Sequence, residues 1–112
     1  REVRAGEELS LTLYWRADSR PAGAYVVFTH LLSREGKLIA QHDGVPAGGT
    51  RPTTGWVEGE YVADRHAMLF VDAAYRGPAT IEVGFYDPLS GQRLVTGRGD
   101  SRLILPGSII VR

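Results

Sequence analysis

The sequence predicts an all-β fold, an antiparallel immunoglobulin-like or jelly-roll-like β-sandwich of about eight strands formed by residues 1–112 as a single domain. Three observations predict this class. Apolar and polar residues alternate with a period of two in several short segments, turn residues separate these segments about every 8 to 12 residues, and no segment has the period of an amphipathic helix. A small closed barrel is the competing architecture, because the number of strands does not separate the two.

The first half of the chain supplies three of these strands. In residues 9–15 leucines and Trp15 alternate with polar residues, a pattern typical of a strand with one buried face. In residues 24–33 apolar side chains occupy both odd and even positions, which face opposite sides of a strand, and this indicates a central strand covered on both sides. A turn at residues 33–36 then leads into its hairpin partner, residues 37–41.

Residues 43–59 are rich in Gly and Pro and have no clear period, so they predict a long irregular loop. Loops of this length in small domains are usually functional or held down by their own side chains. Asp43 and Asp64 bracket the loop, and we expect their carboxylates to accept its backbone N–H groups. Trp56 either anchors the loop or forms a sugar-stacking platform with Tyr61.

The second half continues the strand pattern. Turn residues at Gly77, Pro78 and 87–91 separate its segments. The predicted strands are residues 61–63, 67–72, 80–86, 92–96, 102–105 and 108–111.

Composition and spacing exclude several kinds of function. Thirteen basic and thirteen acidic side chains cancel, which removes the long-range attraction that binding to nucleic acid requires. The chain has no Cys, no G-x-S-x-G turn and no phosphate-binding loop. His30, His42 and His66 lack the short spacing of metal ligands. His30 occupies the same alternate positions of its strand as the apolar Val26, Phe28 and Leu32, which predicts a buried, hydrogen-bonded ring. We therefore predict no enzyme activity, no metal and no cofactor.

Residues 98–100 spell Arg-Gly-Asp, an adhesion motif that integrins recognise. In a chain rich in Arg and Gly this triplet arises easily by chance. It falls where a hairpin loop is expected, and turn chemistry accounts for it.

A set of fixed spacings resembles the C-terminal β-sandwich region of bacterial membrane glycosyltransferases that are similar to the dolichyl-phosphate-mannose mannosyltransferases. The resemblance covers about residues 30–95. Its first half reads Q-x-D-x-x-P-x-x-G-x-x-P-T-x-x-W-x-x-G-E-x-x-x-D from Gln41 to Asp64, and V-G-F-Y-D and G-x-R-L follow from Val83 and Gly91.

The resemblance implies a non-catalytic accessory domain, because the catalytic acids of that family belong to the membrane part. It also implies an extracytoplasmic location, periplasmic or at the cell surface, within a longer membrane protein. The expected partners are the membrane portion of the parent chain and a glycan or lipid-linked sugar. The alternative is a stand-alone carbohydrate-binding or adhesion module. The candidate ligand-binding residues are Trp56, Tyr61, Asp43 and Asp64.

Overall fold

The computed structural model describes residues 1–95 and 98–112, and their regular structure consists of strands and one short 3₁₀ turn. The strands are β1 (Glu2–Val3), β2 (Leu9–Arg16), β3 (Val26–Ser33), β4 (Leu38–Gly44), β5 (Tyr61–Phe70), β6 (Gly77–Tyr86), β7 (Leu103–Ile104) and β8 (Ile109–Val111), with the 3₁₀ turn at Thr53–Gly55. Within the described ranges, no helix has the length and apolar character needed to cross a membrane.

The eight strands belong to one sheet in the order β1-β8-β6-β3-β4-β5-β2, and β7 pairs with β6 outside this path. Of the pairs between these strands, β1 with β8 is parallel and the others are antiparallel. The sheet curls until it is nearly closed into a barrel. The all-β class and the antiparallel arrangement predicted from the sequence are therefore confirmed.

Strand β5 connects the two halves of this curled sheet. Residues 61–68 pair with β2, whereas only Leu69 and Phe70 pair with β4. The side chains that point inward from both halves enclose one main core. Its buried members are Leu9, Leu13, Val27, Leu31, Ile39, Ala40, Met68, Ala79, Ile81, Val83 and Val111.

The structure corrects the predicted strands in the second half of the chain. Segments 61–63 and 67–72 are one continuous strand, β5, and the break came from Asp64 and His66, which are polar but face the core. The expected strand at residues 92–96 is reduced to an isolated bridge at Arg93, and its last residue, Thr96, lies outside the described residues together with Gly97. Strand β1 was not predicted, because two residues carry no period.

Candidate functional site

Five polar or aromatic side chains lie on the outer face of the β4-β3-β6 part of the sheet. The pairing register brings them together, because directly opposite residues share a face. Phe28 of β3 lies between Asp43 of β4 and Gly84 of β6. One step along, His30 lies opposite Glu82, and Tyr86 lies opposite Val26 at the end of β6. The sequence alone separates these groups by up to 58 residues, so only the register assembles them.

Phe28 forms the floor of this face, and Gly84 makes room for it. A β-carbon at position 84 would lie 2.5 Å from the Phe28 ring, so no other residue fits without displacing it. A glycine inside a strand leaves a gap that a bulky neighbour can fill, and here the neighbour is this phenylalanine. The ring itself is 1% exposed.

A tight return after β6 places Arg93 above this floor. The backbone N–H of Gly91 donates to the carbonyl of Asp87 at 2.7 Å, and Arg93 bridges back to Tyr86. The guanidinium carbon of Arg93 consequently lies 4.1 Å from the centroid of the Phe28 ring, a cation-π contact. We call the cavity between these elements the outer cleft. It has a volume of about 210 Å³ and is lined by Phe28, His30, Asp43, Tyr86, Gly91 and Arg93.

Charge is balanced around the outer cleft. Glu82 lies behind it and binds Arg102 at 2.8 Å and Nδ1 of His30 at 2.7 Å, with Arg93 at 3.6 Å. Burial raises the pKa of Glu82, but the hydrogen bonds from Arg102 and His30 outweigh it and hold the pKa below its usual value. Glu82 is therefore a buried, ionised carboxylate that orients the histidine.

Asp43 is the carboxylate that faces solvent in the outer cleft. Its side chain is 38% exposed, and its Oδ2 accepts a hydrogen bond from the Tyr86 hydroxyl at 3.1 Å. Its Oδ1 lies 3.8 Å from Nε2 of His30, beyond hydrogen-bond distance. Burial and the neighbouring Asp43 raise the pKa of Tyr86. Asp43 thus keeps acceptor capacity for a ligand, beside the donors of Arg93.

A second polar group, here called the inner network, lies inside the sheet. Asp64 is 0% exposed and accepts hydrogen bonds from the Trp15 indole at 3.0 Å, the Ala47 backbone N–H at 2.8 Å and Nε2 of His66 at 2.6 Å. Nδ1 of His66 lies 2.8 Å from Nδ1 of His42. A carboxylate only accepts, so His66 carries a proton on Nε2, and a neutral His66 then accepts from Nδ1–H of His42.

The inner network has the properties of a structural element. Burial raises the pKa of Asp64, but the hydrogen bonds from His66, Ala47 and Trp15 hold it below its usual value. Every buried polar side-chain atom of the described residues has a hydrogen-bond partner. The expectation that Asp64 holds the long loop is met through Ala47, whereas Asp43 accepts from Tyr86 instead. Asp64 was predicted as a ligand-binding residue, but its side chain is fully buried and cannot contact a ligand at the surface.

Trp56 is enclosed and anchors the long loop. It is 4% exposed, its indole donates to the Arg51 carbonyl at 2.9 Å, and its ring meets Phe85 edge-on at 6.1 Å between centroids. Tyr61, its proposed partner in a platform, is 68% exposed on the outer face of β5. The structure therefore does not bring these two candidate residues into one surface.

The remaining predicted groups are placed as follows. His30 is mostly buried and hydrogen-bonded, as its parity predicted. His42 and His66 meet across β4 and β5, which their spacing in the sequence did not suggest. In residues 1–95 and 98–112 no three His, Asp or Glu side chains are arranged to hold a metal ion. Arg98, Gly99 and Asp100 are exposed, and residues 96 and 97, which precede them, lie outside the described residues.

Sequence reasoning missed Glu82, Tyr86 and Arg93 as members of the site. A signal for the first two exists, since residues 82, 84 and 86 share one parity and oppose the apolar Val83 and Phe85. Comparisons with known protein families, with curated proteins and with solved structures find no match to this chain.

Proposed function

We propose that this domain is a non-catalytic saccharide-binding accessory domain, located outside the cytoplasm and appended to a membrane glycosyltransferase-like protein. The observation that carries the proposal is the outer cleft, in which the exposed carboxylate of Asp43 lies beside the guanidinium of Arg93, which stacks over the buried Phe28 ring. The ligand would be a glycan or the sugar of a lipid-linked saccharide.

The chemistry of the cleft suits a sugar. A saccharide presents hydroxyl groups that both donate and accept, together with apolar C–H faces. Asp43 accepts and Arg93 donates, while Tyr86 adds an aromatic edge, so each kind of ligand group finds a partner. The two carboxylates, Asp43 and Glu82, offset Arg93 and Arg102, and this balance favours a neutral saccharide over an anionic one.

The state of Glu82 supports binding without catalysis. Glycoside hydrolysis requires a carboxylic acid that still carries its proton, which means a raised pKa. Glu82 has a lowered pKa and is committed to Arg102 and His30. It therefore does not suit the role of general acid next to Asp43.

The motif that resembles the glycosyltransferase region supports the proposed parent protein. Several of its fixed residues have related positions in the structure. Asp43, Gly91 and Arg93 line the outer cleft, and Asp64 binds the backbone of the long loop that runs from Asp43 to Asp64. The sandwich subclass stays part of the proposal. Two packed layers are compatible with the course of β5, which pairs with β2 through residues 61–68 and meets β4 only at its last two residues. A stand-alone carbohydrate-binding module is the alternative, with the same cleft and no membrane parent.

Titration by NMR tests the binding site. The ¹⁵N-labelled domain is titrated with a panel of mono- and oligosaccharides, including mannose- and glucose-based ones, and we expect saturable shifts around Asp43 and Arg93. Asp43→Asn removes a charged acceptor, and the loss of such a bond, about 1.5 to 3 kcal/mol, corresponds to a roughly tenfold to hundredfold weaker affinity.

The control variant is Asp18→Asn, because the side chain of Asp18 is 85% exposed and lies outside the cleft. The absence of chemical-shift changes with every saccharide, or equal affinity of Asp43→Asn and the native domain, would count against the cleft as a saccharide site. The parent is tested separately by reading the complete open reading frame for membrane spans. Their absence would favour the stand-alone module.

A further inference from the structure

Two tyrosines stand side by side on the outer face of the β2–β5 pair, away from the outer cleft. Tyr14 is 74% exposed and Tyr61 is 68% exposed. In the pairing register Tyr14 lies opposite Ala63, and Tyr61 lies opposite Arg16. The two tyrosines are therefore diagonal neighbours on one face, a relation in which residues lie roughly 7 to 8 Å apart and their β-carbons somewhat closer.

The surroundings leave the two rings uncovered. Arg16 is drawn to Asp18 at 3.2 Å. Arg65, the other cation on this face, bonds to Ser10 at 2.8 Å and lies 3.7 Å from Glu8. Among the described residues the cation-π contact of the domain is made at Phe28, on the other part of the sheet.

We infer that Tyr14 and Tyr61 form a stacking surface for an extended polysaccharide, a second binding surface that is separate from the outer cleft. The β2 edge of the sheet leaves this face open at one side. Ala63, between the rings, adds no bulk, so a chain of sugars can lie flat across them. Stacking of sugar C–H faces on aromatic rings gives affinity, and nearby hydroxyl and guanidinium groups supply hydrogen bonds.

The polar residues around the two tyrosines favour a polysaccharide over two other ligands, a protein partner and an anionic membrane. A stable protein interface buries about 800 Å² on each partner around an apolar centre, whereas here Ser10, Thr12 and the arginines surround two isolated rings. Attraction to an anionic membrane requires an excess of positive charge. Arg16 and Arg65 each have an acidic neighbour, so this face carries none.

Affinity electrophoresis of the whole domain, in native gels that contain soluble mannan, xylan, β-glucan or chitosan, tests the inference. We expect at least one polymer to retard the native domain. Tyr14→Ala and Tyr61→Ala should each weaken the interaction about tenfold, whereas Tyr14→Phe and Tyr61→Phe, which keep the ring, should retain it. Val71→Ala, which removes another exposed apolar side chain, is the matched control.

The Asp43→Asn variant distinguishes the two surfaces. If the inference is right, this variant keeps its retardation by polymer even though it loses oligosaccharide binding in the cleft. Equal retardation of the alanine variants and the native domain would overturn the inference, and so would mobility that no polymer changes. Two further results would also overturn it: loss of self-association in the alanine variants during ultracentrifugation, or loss of binding to phosphatidylglycerol vesicles. Circular dichroism verifies that each variant is folded.

Discussion

Replacing Asp64 with alanine removes the acceptor at the centre of the inner network, and we expect a large loss of stability. The carboxylate is 0% exposed and accepts from the Trp15 indole, the Ala47 backbone and His66. The substitution leaves three donors without their acceptor, and each unpaired buried donor costs about 1 to 3 kcal/mol. Because the losses of contacting groups do not add, we expect about 3 to 5 kcal/mol in total.

Urea unfolding followed by Trp fluorescence measures this change as a lower midpoint with an unchanged slope. A loss of this size is a large part of the roughly 5 to 15 kcal/mol that stabilises an ordinary domain. Asp64→Asn, which keeps the shape and one acceptor, should lose about half as much. Asp18→Asn, at an exposed ion pair, should change stability by less than about 1 kcal/mol. A loss below about 1 kcal/mol for Asp64→Ala would refute the reasoning.

The same carboxylate sets a pH dependence. The pKa of Asp64 in the folded chain lies below the ordinary value of 3.8 that applies when the chain unfolds. Its contribution to stability is therefore fully present above about pH 4 and is lost as the pH falls through the folded pKa. Asp64→Asn should flatten the acid side of the stability curve, whereas a curve of unchanged steepness would contradict the role of the ionised carboxylate.

Three further changes test other parts of the structure. Gly84→Ala should cost about 1 to 3 kcal/mol in thermal unfolding, because the added carbon meets Phe28 at 2.5 Å, and it should weaken cleft binding; unaltered stability would contradict the close contact. Trp56→Ala should cost about 3 to 5 kcal/mol and speed amide exchange in the loop from Val45 to Glu60, whereas exchange that stays slow would show another anchor. Glu82→Gln should cost about 1 to 3 kcal/mol in urea unfolding and free the His30 ring, visible as a shifted imidazole resonance; an unshifted resonance would mean that Glu82 does not orient it.

The sequence predicted strands well where most of the inward positions are apolar. Residues 9–15 and 24–33 correspond to β2 and β3, because alternation or full apolarity follows directly from which faces are covered. The same reasoning failed at β5, which was predicted as two separate strands because two of its inward positions carry the polar residues Asp64 and His66. Their burial is tolerable because Asp64 accepts from Trp15, 49 residues away, and His66 pairs with His42, 24 residues away. A local pattern cannot reveal such distant partners.

The candidate site was predictable only in part. Asp43 was identified from its place in the motif and does face the outer cleft. The motif could not tell that Asp64 points inward, since the break in the predicted strand removed the parity that decides it. Nor could it bring Glu82 next to His30, because that contact spans 52 residues and depends on the register between β3 and β6.

Strand β4 links the two polar groups of this domain, and its register matters to both. His42 points inward to His66, while the next residue, Asp43, points outward to Tyr86. A slip of one residue would exchange their faces. The Thr29 hydroxyl opposes such a slip by donating to the His42 carbonyl at 2.7 Å. Buried polar groups add little net stability but can specify one alignment over another. We therefore infer that the inner network fixes the register of β4 and thereby the position of the Asp43 carboxylate in the outer cleft.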